Sequence, residues 1–212
     1  MSLLIKICGI TRVEDALAAV DAGADWLGLN FWPGTKRCVK PATARAIVEA
    51  LEGRAECVGV FVNASTEDIQ RILMDVPLDR IQLHGQEEPR MLSQFSIPAF
   101  KAFAVESSAD LDRIPSYVAD NDSYFLLDAR HPTLPGGTGQ RVNTELANAA
   151  HGHGRLLLAG GLRPENVADA ITAVRPFGVD TASGVEHAPG VKDPAAMRAF
   201  IQAARSVAET PS

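Results

Sequence analysis

Cys8 ends an apolar run over residues 3–8 and is followed at once by Gly9. A thiol at the exit of a strand, next to a residue that lets the backbone bend sharply, can face an opening and do chemistry. A lone cysteine also serves as a small packed side chain, the default for Cys38 and Cys57, which lack a nearby base or helix-start context. Asp128 ends the apolar run 124–127 and opens a long loop over 129–141. A carboxyl at the mouth of an apolar strand is partly desolvated, which raises its pKa and suits it to donate a proton; aspartate there is also a common turn cap. Arg37, beside Lys36 in a Gly-containing loop, could clamp a carboxylate through two parallel hydrogen bonds, stack on an aromatic ring, or remain a solvated loop cation. Gly160-Gly161 and Ser183-Gly184 follow two later apolar runs, where uncovered backbone N–H groups suit a phosphate; tight turns ask for the same residues. His84 follows a further run and could bind substrate or buttress a neighbour.

These groups are scattered along the chain, so the elements between them must bring them together. Strand patterns fall at 3–8, 26–30, 57–62, 80–83, 99–104, 124–127, 155–159 and 178–181. Helical periods follow each of them, at 13–22, 42–51, 66–76, 87–95, 109–118, 144–150, 164–174 and 194–208. Start signals support several helices: a capping box of Thr11 and Glu14, Ser65 as a cap, Pro164 and Pro194 in first turns, and Asp193 capping ahead of Pro194. Eight strand-helix units favour an α/β fold of the (β/α)8 TIM-barrel type, with an open doubly wound sheet as the alternative. In a barrel the carboxyl ends of the strands form the functional rim, and Cys8, Arg37, His84, Asp128 and the two glycine turns sit there. Alternation along the first strand then turns Lys6 inward with Cys8, and Asp180 inward from the adjacent last strand. A Lys6–Asp180 pair is expected, satisfying both charges and leaving positive potential near the thiol.

The 212 residues fit one domain over 1–208 with a tail at 209–212. Apolar residues are 46% and charged residues 22%, ordinary globular usage. The net charge of −6, without a basic block, gives a nucleic-acid or anionic-membrane partner no footing. Three cysteines at these spacings suggest neither a disulfide framework nor a metal site, and a reducing cytoplasm fits best. The apolar stretch in the first ten residues is too short, and interrupted by Lys6, for a signal peptide to be expected there, and no apolar run is long enough to span a membrane.

Seven stretches, KICGIT (6–11), VGVFVN (58–63), IQLHG (81–85), LLDA (126–129), GGTG (136–139), LAGGLRPENV (158–167) and VDTASGVEHAPGVKD (179–193), together resemble phosphoribosylanthranilate isomerase of tryptophan biosynthesis. The resemblance implies a cofactor-free Amadori rearrangement of N-(5-phosphoribosyl)anthranilate to 1-(2-carboxyphenylamino)-1-deoxyribulose 5-phosphate. It implies Cys8 as general base, Asp128 as general acid, Arg37 on the anthranilate carboxylate, and Gly160-Gly161 and Ser183-Gly184 as phosphate loops. His84 and Asp180 join these as expected substrate-binding residues, and the protein is expected to be a monomer or homodimer. Three stretches depart from the family pattern: Thr35-Lys36 stands for the usual Ser-Pro, Val142-Asn143-Thr144 for Phe-Asp-Trp, and Ala182 for a frequent serine. Two other readings stay open, a phosphosugar barrel using a carboxylate or Lys-Glu pair, and a non-catalytic phosphate-ligand barrel.

Overall fold

The computed structural model describes residues 3–120, 122–128 and 144–208. Eight parallel strands close into a barrel in sequence order, so the open sheet is excluded: β1 (Leu4–Cys8), β2 (Trp26–Asn30), β3 (Glu56–Phe61), β4 (Arg80–Leu83), β5 (Ala99–Ala104), β6 (Tyr124–Asp128), β7 (Arg155–Ala159) and β8 (Gly178–Thr181). The ring closes where β8 pairs with β1, with Lys6 opposite Asp180. The pleat sorts the side chains into two cores. Trp26, Val58, Phe100, Ala102, Leu126, Leu157 and Ala159 fill the barrel interior, while Ile5, Ile7, Leu27, Leu29 and Leu127 are among those that face the helical layer.

The outer layer contains α1 (Val13–Asp21), α2 (Pro41–Leu51), α3 (Thr66–Asp75), α4 (Thr144–Ala149), α5 (Val167–Val174) and α6 (Pro194–Ala208). The fourth and fifth crossovers differ from the expected α-helices: each carries a 3-10 helix, Pro89–Ser93 and Ser108–Ser116. Pro115 lies inside the second and has no N–H to donate, and both segments present few apolar residues to the barrel. A buried ion pair joins β5 to the crossover that follows β4. Lys101, on the outer face of β5, lies 3.3 Å from Glu87, with side chains only 1% and 2% exposed.

Ser65 caps α3 by accepting from the Asp68 N–H, and Asp193 caps α6 by accepting from Ala195 and Ala196 N–H. The expected Thr11–Glu14 box does not form. Arg12 is the N-cap of α1, and the Thr11 hydroxyl instead donates to the Gly190 carbonyl. Nor does Pro164 start a helix: 164–166 form a turn in which Asn166 accepts from the Arg163 N–H, and α5 begins at Val167. After β8 a short hairpin, β9 (Glu186–Ala188) with β10 (Val191–Lys192), bends back over the rim. The expected GGTG loop and the Val142-Asn143 departure lie outside the described residues.

Candidate active site

Cys8 is the last residue of β1 and retains an opening to the rim. One pleat below it, Lys6 is fully buried and donates to Asp180 Oδ1 at 2.7 Å, the expected pair. Burial alone would lower the Lys6 pKa, but Asp180 and the thiol more than offset it and hold the ammonium charged. Thiol and ammonium share one patch of space above Gly28: a Cβ there would fall 2.7 Å from Cys8 Sγ and 3.1 Å from Lys6 Nζ. Only glycine leaves that space to them. Positive charge does lie near the thiol, but it does not set the direction of the shift. Burial pushes the Cys8 pKa up, Lys6 pulls it down, Asp180 pushes it up again and Lys192 pulls it down, and the net shift is upward. Both lysines support the thiolate, but desolvation outweighs them.

Arg37 reaches across the β1 loop to Glu186, donating through Nε and Nη2 at 2.7 and 2.6 Å in a fork on both carboxylate oxygens. This occupies one edge of the guanidinium, and no described residue accepts from Nη1. Glu186 also accepts from Lys192 Nζ at 3.0 Å, and the same ammonium donates to the Cys8 and Ala182 carbonyls at 2.6 and 2.9 Å. Lys192 thus ties the backbone of the thiol to that of the β8 loop. Burial pushes the Glu186 carboxyl up, yet Arg37 and Lys192 together hold it below the usual 4.5. Neither Glu186 nor Lys192 was singled out from sequence, although both lie within the 179–193 stretch; nothing in the spacing shows that the hairpin folds back onto Cys8.

One pocket collects the expected residues. Cys8, Arg37, His84, Asp128, Gly160, Gly161, Asp180, Ser183 and Gly184 all line it, together with Asn30, Thr35 and Gln82. Its cavity volume is about 140 Å³, and it opens to solvent at the rim. Gly160 and Gly161 have φ of 108° and 76°, a left-handed path on which other residues are strained. His84 is held by Gln82, whose Nε2 lies 2.9 Å from its Nδ1. Burial lowers the His84 pKa, against the opposing pull of Asp128 and Asp180. Among the described residues no cluster of His, Cys, Asp or Glu could hold a metal ion, and no helix is long and apolar enough to cross a membrane.

A thiol, a carboxyl, a cation and two glycine turns at the carboxyl end of a closed parallel barrel put the chain among the (β/α)8-barrel enzymes. The family model for N-(5'phosphoribosyl)anthranilate (PRA) isomerase matches residues 5–203, and the chain belongs to that family. It is 44% identical over 209 residues to N-(5'-phosphoribosyl)anthranilate isomerase of Myxococcus xanthus, covering 98% of each chain. Its fold is similar to the crystal structure of phosphoribosyl anthranilate isomerase from Thermotoga maritima, with a TM-score of 0.88, 40% identity, and coverage of 96% of this chain and 99% of that one. A structure of such an isomerase in complex with reduced 1-(o-carboxyphenylamino)-1-deoxyribulose 5-phosphate matches at a TM-score of 0.85 and 39% identity, covering 96% of this chain and 99% of that one.

Proposed function

We propose that this chain isomerises N-(5-phosphoribosyl)anthranilate to 1-(2-carboxyphenylamino)-1-deoxyribulose 5-phosphate in tryptophan biosynthesis, by acid–base catalysis through Asp128 and Cys8. The observation that carries the reading is the convergence, in one pocket, of groups suited to each part of that substrate. Gly160-Gly161 and Ser183-Gly184 suit the phosphate at the ends of β7 and β8, and Arg37 suits the anthranilate carboxylate through the Nη1 edge that no described residue takes. Between them lie the ends of β1 and β6.

Asp128 gives its proton to the furanose ring oxygen, the C1–O bond breaks, and the nitrogen lone pair forms a Schiff base. Cys8 as thiolate then removes the proton from C2, and the electron pair moves into an enolamine. A proton returned to C1 and one lost from the C2 hydroxyl complete the ketone, with no net change in oxidation state. Lys6 and Lys192 favour the thiolate this step requires.

The test is direct. Purified protein should remove the fluorescence of phosphoribosylanthranilate, and an unchanged signal would refute the isomerase reading. Each positioned proton transfer contributes about 10²–10⁴ in rate, so Cys8→Ser and Asp128→Asn should each lose most turnover. A Cys8→Ser variant keeping most of the rate would leave the reaction but remove this mechanism.

A further inference from the structure

Gln82 lies on β4 two residues before His84, so alternation turns both toward the interior, and both line the pocket. It is only 1% exposed. Its Nε2 donates to His84 Nδ1 at 2.9 Å, and its Oε1 is buried without a hydrogen-bond partner among the described residues. A buried carbonyl oxygen with no donor is costly, and such groups are kept where something else fills them. The same contact points to the partner's chemistry, because an amide nitrogen only donates. With Nδ1 accepting, the neutral imidazole carries its hydrogen on Nε2 and is a donor. The end of β4 therefore presents an acceptor and a donor held in fixed relation by their own hydrogen bond.

Anions do not match that pair. A phosphate or carboxylate offers only acceptors and would leave Oε1 facing lone pairs. Adjacent hydroxyls match it, because one can donate while its neighbour accepts. β4 also stands apart from the phosphate turns on β7 and β8 and from Arg37 after β2, which leaves it the middle of the ligand.

We propose that Gln82 is a further substrate-binding residue, its Oε1 accepting from one hydroxyl of the ribosyl chain while His84 Nε2–H donates to the adjacent one. The proposal rests on the isomerase reading and deepens it, naming the sugar as the part read at β4. It makes the site selective for a hydroxylated chain over a deoxy one, since a C–H cannot fill the acceptor. The C3 hydroxyl belongs to every adjacent pair available, on either the C2 or the C4 side, so its removal breaks the match whichever pair is used.

The experiment uses two unreactive ligands, the reduced product analogue 1-(o-carboxyphenylamino)-1-deoxyribitol 5-phosphate and its 3-deoxy counterpart, titrated by calorimetry into the parent and Gln82→Leu. The parent should prefer the hydroxylated ligand, and Gln82→Leu should weaken that ligand by about 10- to 100-fold, the usual effect of losing a buried hydrogen bond, while leaving the 3-deoxy ligand nearly unaffected. Equal losses for both ligands would overturn the proposal and make Gln82 a packing residue. If the parent binds neither ligand, the isomerase reading falls with it. A measurement on the unaltered protein guards against a misfolded variant: nitrogen-15 shifts of His84 should report hydrogen on Nε2, and hydrogen on Nδ1 instead would overturn the assignment.

Discussion

Arg37 and Glu186, far apart in sequence, meet as a two-pronged pair with N···O distances of 2.7 and 2.6 Å, and the Glu186 side chain is only 4% exposed. The pair aims a guanidinium edge over the pocket instead of leaving it to sample the solvent. Its loss should be read in substrate binding before turnover.

Glu186→Gln keeps the shape but removes the charge that orients Arg37. Loss of a charge-assisted hydrogen bond is typically worth about 1.5–3 kcal/mol, so KM should rise by roughly 10- to 100-fold with a smaller change in kcat. Steady-state kinetics check this, and a fall in kcat at constant KM would contradict it.

The same carboxylate predicts an acid limb of stability. Its folded pKa lies below its usual 4.5, so its contribution is complete above that value and is lost as pH falls through the lower folded value. In denaturant melts from pH 7 down to about 3, the stability gap between parent and Glu186→Gln should shrink toward zero. A gap that is constant with pH would show that the charge on Glu186 contributes nothing.

For the thiol the sign is opposite in consequence. Cys8 is raised above its usual 9.0, so the thiolate is the minor form at neutral pH and kcat/KM should climb with pH on the alkaline side. Lys6→Met removes a cation that pulls this pKa down, and the limb should move to still higher pH. Alkylation of Cys8, followed on its own peptide because Cys38 is exposed and reacts as well, reads the shift without turnover. An identical alkylation pKa in parent and variant would show that Lys6 plays no such part.

Gly28→Ala tests the shared space at the thiol. The added methyl would sit 2.7 Å from Sγ, on the strand paired with β1, and something must shift. We expect kcat to fall by at least about 10²-fold, the scale of misplacing a reacting group by an ångström, with the fold retained by circular dichroism. Near-parental kcat would mean that the thiol's position is not critical.

Lys101→Met leaves Glu87 buried without its cation. Removing one partner of a buried pair typically costs about 3–5 kcal/mol, and chemical denaturation should show it. A loss below about 1 kcal/mol, the value of an exposed pair, would contradict this account.

Periodicity made the barrel legible because alternation and helical spacing are local, and each strand lies within a residue or so of its pattern. The rim rule then located Cys8, Asp128 and the glycine turns, and the Lys6–Asp180 pair followed from alternation on neighbouring strands. Local signals failed where a tertiary partner competed for the group. Thr11 reads as a cap, but its hydroxyl is taken by Gly190, and the fourth and fifth helices tighten to 3-10 form. Gln82 was within reach of the same alternation that finds Lys6, as the residue two before His84, yet a glutamine in a strand carries no signal of its own.

What the amino-acid order determined by itself is the set of repeating units and the chemistry at the end of each strand, since both depend on near neighbours in the chain. What only the tertiary structure decided is how those groups are tuned. Lys192 holds the carbonyl of Cys8 from 184 residues away, and Glu186 turns Arg37. The ionisation of the thiol is set by burial and one carboxylate, which oppose it, against two ammonium groups, which favour it. These are effects of distance and dielectric, which exist only once barrel closure and the folded-back hairpin bring the charges together.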